Sequence, residues 1–168
     1  MREALAAQPG LAASLVEPAP ELVAAPLAAP GLPSDRAAGL DLILEGFLLH
    51  HGTPRHLDLA DAGRRVLAGD YCYAHGLVWV AEAGDLEVIE LLADLVAMSS
   101  ALVATGDRDG LTPLWQATIA AIARRDPEFT ERLDAAKGAL RTRSEVSPLI
   151  DLAVELPPAP DLEAALVA

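Results

Sequence analysis

The chain has 168 residues, with 12 Lys and Arg against 25 Asp and Glu, a formal net charge of −13. A chain of this length buries roughly two thirds of the surface it exposes when unfolded, so one domain can stand without disulfides or a structural metal. The acidic balance works against any phosphate-tracking groove, which needs clustered Lys and Arg, and no nucleic-acid partner is expected.

The lone Cys72 cannot form an intramolecular disulfide and gives no sign of an oxidising compartment. No run long enough to cross a bilayer is free of charge or proline, and Met1-Arg2-Glu3 puts an acid where a signal peptide carries positive charge. These features predict a cytoplasmic protein with no membrane span.

Nine of the 13 prolines lie near the ends, at Pro9, Pro18, Pro20, Pro26, Pro30 and Pro33 and at Pro157, Pro158 and Pro160. Proline lacks a backbone N–H and clashes with the preceding turn, so residues 1–33 read as an arm of short helices joined by extended segments. Its apolar residues Leu11, Leu15, Val16, Leu22, Val23 and Leu27 are too many for a free tail, so the arm packs along the core or along a partner chain.

Residues 34–156 read as a bundle of antiparallel helices, because apolar residues recur at three and four and Ala and Leu dominate over alternating β-branched residues. No sheet is expected. Ser34 and Asp35 offer an N-cap, and Leu40, Ile43, Leu44, Phe47 and Leu48 form one face of a helix stopping before Gly52-Thr53-Pro54. A second helix is predicted over 57–83 and a third, capped by Asp85, over 86–104. Asp107-Arg108-Asp109-Gly110 reads as a turn, because Thr105 and Gln116 stand where an EF-hand would have carboxylates. Thr112-Pro113 opens a fourth helix to Arg124, Asp126-Pro127 a fifth to Arg141, and Ser147-Pro148 a sixth to Leu156. Residues 157–168 read as a tail or a short helix.

The third helix carries apolar residues around more than one stripe, including Val88, Leu91, Leu92, Leu95 and Met98, and the second does so at Tyr71, Leu77, Val78 and Trp79. Such coverage suits the centre of a bundle or a subunit interface. His50, His51 and His56 cluster around a loop, but no Cys, Asp or Glu spacing completes a tetrahedral metal site, and none is assigned. His75 reads as a half-buried helix residue and Cys72 as an inert buried thiol. No Gly-rich phosphate loop or nucleophile elbow is present.

Three marks in order, Gly52-Thr53-Pro54, Leu67-Ala68-Gly69-Asp70-Tyr71 and Glu82-Ala83-Gly84-Asp85-Leu86-Glu87-Val88, resemble the all-helical trans-prenyl diphosphate synthases. The resemblance covers about residues 35–123 and implies a truncated isoprenoid-synthase-like fold. The family ionises an allylic diphosphate held by Mg²⁺ on Asp-rich helices together with Arg and Lys. At the first Asp-rich motif this chain reads Asp41-Leu42-Ile43-Leu44-Glu45, a degenerate copy whose two carboxylates, Asp41 and Glu45, read as solvated. His50-His51 replace the paired arginines, and imidazoles neutral at pH 7 are poor phosphate forks. Ser99-Ser100 stand where the family has Gly-Gln, Trp115-Gln116-Ala117-Thr118 lies near the Lys-Thr pair without its lysine, and the second Asp-rich motif is absent.

A chain that keeps the scaffold and loses these ligands is similar to the short subunit of two-component hexaprenyl and heptaprenyl diphosphate synthases. The resemblance implies a non-catalytic subunit without catalytic residues or a metal of its own, Mg²⁺ sitting on the catalytic partner in a heterodimer or heterotetramer. The interface candidates are then Tyr71, Leu77, Val78, Val88, Leu91, Leu92 and Leu95. Phe47, Trp79 and Met98 are the candidates for setting product length along an apolar tunnel. The alternative is a self-associating pseudoenzyme, a homodimer serving as an apolar-ligand or protein-binding module.

Overall fold

The computed structural model describes residues 1–20, 22–23, 34–81 and 84–168, with backbone alone at Ser34 and Asp35. Its helices are α1 (Arg2–Ala6), α2 (Pro9–Ala12), α3 (Ser34–His51), α4 (Ala62–Ala81), α5 (Leu86–Thr105), α6 (Leu111–Arg124), α7 (Pro127–Arg143), α8 (Ser147–Val154) and α9 (Pro160–Val167). A 3₁₀ turn at Arg108–Gly110 leads into α6, as the Asp107–Gly110 turn anticipated. Among the described residues the fold is all-helical, and the one β feature is an isolated antiparallel bridge between Leu15 and Leu57.

Helix α3 is buried on every side. Leu40, Ile43, Leu44, Phe47 and Leu48 enter the main core with α5 to α9, as their spacing predicts. The opposite face, Leu42 and Leu49, joins Leu5, Leu57, Leu59, Ala68 and Cys72 in a second core under the N-terminal arm. Leu5 is wholly buried there, so α1 packs on the chain's own bundle.

Helices α3 and α4 meet backbone to backbone. Gly39 and Gly46 are seven residues apart on α3, and Gly69 and Gly76 are seven apart on α4, so each pair shares one face two turns apart. The pairs oppose each other in antiparallel register. A Cβ on Gly76 would stand 2.6 Å from the Gly39 carbonyl oxygen, and one on Gly46 would stand 3.0 Å from the Gly69 carbonyl oxygen. Only glycine lets two helices approach this closely.

Several boundaries differ from expectation. Helix α4 begins at Ala62 rather than at Leu57, because residues 56–58 pair with the arm: Val16 N–H donates to His56 O at 3.1 Å and Asp58 N–H to Ser14 O at 2.8 Å. Asp61, whose Oδ1 accepts the Arg64 N–H at 2.8 Å, starts the helix instead. The predicted end of this helix, and the Ser34–Asp35 cap side chains, lie outside the described residues. Helix α6 starts at Leu111 without a side-chain cap, and the Thr112 hydroxyl, expected to cap it, is buried without a hydrogen-bond partner. Asp85 and Asp126 cap α5 and α7 as expected.

Residues 157–168 are no loose tail. Leu162 and Leu166 of α9 are buried in the main core, so the bundle continues to the last helix. Arg108 fastens this end by donating to Leu166 O at 3.0 Å and to His51 O at 2.8 Å, satisfying the last carbonyls of two helices with one guanidinium.

Helix α5 is not buried on two sides. Val88, Leu91, Leu92, Leu95, Met98 and Leu102 face inward, while Leu86 is 74% exposed and Ala93, Ala97 and Ala101 face outward. By length and composition α5 could cross a membrane, with a mean hydropathy of 1.8 over its most apolar window; 39% of that window is buried within the bundle.

Candidate functional site

Asp41 and Glu45 lie one turn apart on α3 and face the same way, but not toward solvent: they are 3% and 1% exposed. This corrects the expectation of solvated carboxylates. Asp41 Oδ1 accepts the backbone N–H groups of Leu22 and Val23, each at 3.1 Å. Glu45 accepts the N–H of His56 at 2.9 Å and that of Arg55 at 3.1 and 3.2 Å. Each carboxylate thus holds a segment without regular secondary structure whose amides have no helix to satisfy them, which recovers part of the cost of burying the charge. Burial pushes the Glu45 carboxyl above the usual carboxylate range, against the pull of the His56, Arg55 and Leu57 amides and the Arg55 charge.

The histidines diverge. His50 reaches across to Asp70, Nε2 to Oδ1 3.2 Å, and stacks on Tyr73 with ring centroids 5.4 Å apart. A Cβ on Gly69 would strike the His50 imidazole at 2.5 Å, so Gly69 makes room for this pair. His51 points to α5, with Nε2 3.3 Å from Ser100 Oγ. Ser100 gives its own proton to Val96 O at 3.0 Å, so His51 is the donor and is not placed as the base of a serine nucleophile. Burial, then the His50 and Arg108 charges, lowers the His51 pKa and favours the neutral ring.

His56 lies apart from the other two, its pKa pushed down to about 4 by burial and by Arg55, Arg2 and the N-terminal charge. His75 is half-buried and stacks on Tyr71 at 4.0 Å. Cys72 is buried, its thiol pushed up to about 12 by burial and by Glu45, a state without nucleophilic character at neutral pH.

The three length-setting candidates do not share one wall. Phe47 is interior, its ring tilted against Trp115 with centroids 5.7 Å apart. Met98 belongs to the same core and borders an open cleft between α5 and α7. Trp79 is half-buried against the second core.

Of the interface candidates, Val88, Leu91, Leu92 and Leu95 are spent inside the chain's own core, where α5 packs on α4 and α6. Tyr71 and Leu77 are half-buried, and Val78 is 52% exposed. Helix α4 instead presents Leu67, Tyr71, Ala74 and Val78 at intervals of four, three and four, with Leu67 70% exposed. That spacing is one apolar stripe along a helix.

Sequence reading missed the glycine seam and the stripe's first member, Leu67. It also missed Arg65, which donates to Gly52 O at 2.9 Å and Leu49 O at 3.3 Å and so caps α3 beside Arg108. The paired seven-residue glycine spacing was a readable signal for the seam. The arginine caps leave none. No family model, no curated protein and no solved structure matches this chain.

Proposed function

We propose that the chain is a non-catalytic subunit of a heteromeric long-chain polyprenyl diphosphate synthase, a cytoplasmic partner with a prenyl-synthase-like scaffold that helps set product length. The observation that carries this reading is the use of Asp41 and Glu45. At the position of the motif that holds Mg²⁺ in the family this chain resembles, both carboxylates accept backbone amides of the arm and of the loop after α3. Arg65 and Arg108 likewise serve helix carbonyls, not a diphosphate. The apolar α4 stripe from Leu67 to Val78 supplies a surface on which a catalytic subunit docks. On this reading Mg²⁺ and the allylic diphosphate belong to the partner.

Prenyl transfer by the isolated chain, by a polyprenyl diphosphate synthase catalytic subunit and by the two together tests the proposal. The expected result is turnover or a changed product length in the mixture, and loss of that effect with Leu67→Asp. Failure to bind the catalytic subunit or to alter its product overturns the proposal. The cleft beside Met98 favours the second reading, a helical module that binds an apolar ligand.

A further inference from the structure

The cleft between α5 and α7 has a volume of about 500 Å³ and is lined by Met98, Ala101, Leu102, Leu140, Arg141 and Asp107, with Thr105 and Ser144 at one end. That size is in the range of sites for small organic ligands. It arises from geometry. Helices α5 and α7 run parallel, each packed on α6, and one end of the gap between them is closed by ion pairs. There Asp94 takes both Arg141 and Lys137, and Lys137 also lies 3.8 Å from Asp134. From there the cleft runs past Met98, Leu102 and Leu140 to Thr105 and Ser144.

The charges around this cleft are not balanced. Arg141 and Lys137 are each paired with a carboxylate, and Arg143 is paired with Glu145 at 2.9 Å. Arg108 is turned to the carbonyls of His51 and Leu166. Asp107 uses its backbone N–H on Leu102 O at 2.9 Å, while its carboxylate has no hydrogen bond or ion pair among the described residues. Both helices also end here, at Gly106 and Ser144, so the negative ends of two helix dipoles converge beside that carboxylate. A protein of net charge −13 adds a long-range field of the same sign.

We infer that this cleft binds an amphiphile with a cationic head, the apolar tail lying between Met98, Leu102 and Leu140 and the ammonium seated against Asp107. The site is separate from the α4 stripe and from the Asp41–Glu45 anchors, so it stands whether or not the subunit proposal does.

Titration calorimetry of the full chain with n-decylammonium, decanol and decanoate, matched in chain length, tests the site. The cation is expected to bind at one site about tenfold more tightly than the alcohol, and decanoate more weakly than either. Asp107→Asn is expected to erase the preference for the cation while leaving decanol binding within about twofold. Glu131→Gln, which changes net charge equally at an exposed position on α7, should leave the preference intact. Ala101→Trp should fill the cleft and abolish all binding with helical content unchanged. The proposal is overturned if no probe binds saturably, if decanoate matches decylammonium, if the preference survives Asp107→Asn, or if binding survives Ala101→Trp.

Discussion

One substitution, glycine to alanine, should have three different outcomes at three positions of this bundle. In a helix interior alanine is favoured over glycine by about 1 kcal/mol, because glycine loses more backbone entropy on folding. At Gly138 on α7 no atom stands within 4 Å of the added Cβ, so Gly138→Ala should realise that gain, about 0.5–1 kcal/mol. At Gly76 the Cβ meets the Gly39 carbonyl oxygen and Ile43 Cγ1, each at 2.6 Å. The carbonyl belongs to a buried helix and cannot swing aside, so α3 and α4 must separate along the seam. Overpacking of this kind costs about 1–3 kcal/mol, and a backbone obstacle places it at the upper end. Set against the propensity gain, the net loss is about 2 kcal/mol, which for a chain of this size lowers the melting temperature by about 4–8 °C. At Gly69 the obstacle is the His50 imidazole, the far end of a side chain that can rotate away from Asp70. Gly69→Ala should therefore fall between the other two. Urea and thermal unfolding of the three variants read the order directly. If Gly76→Ala is as stable as the parent protein, the backbone-to-backbone seam is refuted.

Four further outcomes follow from buried groups. His56, with its pKa pushed down to about 4, contributes stability that is fully present above about pH 6.5 and is lost as the pH falls toward 4. Between pH 7 and pH 5 the parent protein should lose about 2 kcal/mol relative to His56→Leu, and parallel unfolding curves would refute this. Glu45 acts with the opposite sign. Its raised folded pKa means that its proton stabilises the fold, so acidification through the range above the usual carboxylate value should favour the parent over Glu45→Gln in urea titrations. A shift the other way would mean that the amide bonds outweigh burial. Cys72, with its thiol raised to about 12, should resist iodoacetamide in the native protein at pH 8 and react only on unfolding; stoichiometric labelling within minutes would show that it is exposed. Trp79→Phe should leave the fully buried Trp115 as the sole indole, with blue-shifted emission poorly quenched by acrylamide. Ready quenching would contradict its burial.

The helices were legible because their signals are local. The apolar period of Leu40, Ile43, Leu44, Phe47 and Leu48, the Asp85 and Asp126 caps and the prolines at 113, 127 and 148 each act within a turn or two of the residue that carries them. The start of α4 was misplaced because a non-local interaction decided it: the arm captures residues 56–58 in extended form. Asp41 and Glu45 were misread for the same reason. A carboxylate on a helix looks solvated until one knows that another segment lies over it, here residues 22–23 and 55–56. The wide apolar coverage of α5 suggested burial on two sides, but the helix is buried along one face, and coverage alone could not say which residues meet the chain's own core. Val88, Leu91, Leu92 and Leu95 do, whereas Leu86 does not.

The arm bound to α3 also bears on the order of assembly. A ribosome delivers residues 1–23 before any of their acceptors exist: Leu5 comes to rest on Leu42, Leu49 and Cys72, and the amides of Leu22 and Val23 on Asp41, all later in the chain. This segment can find its place only once Asp41, Leu42, Leu49 and Cys72 have been made. Until then its leucines are open to other contacts, the interval in which a nascent chain of this kind is exposed to chaperones or to a neighbouring copy.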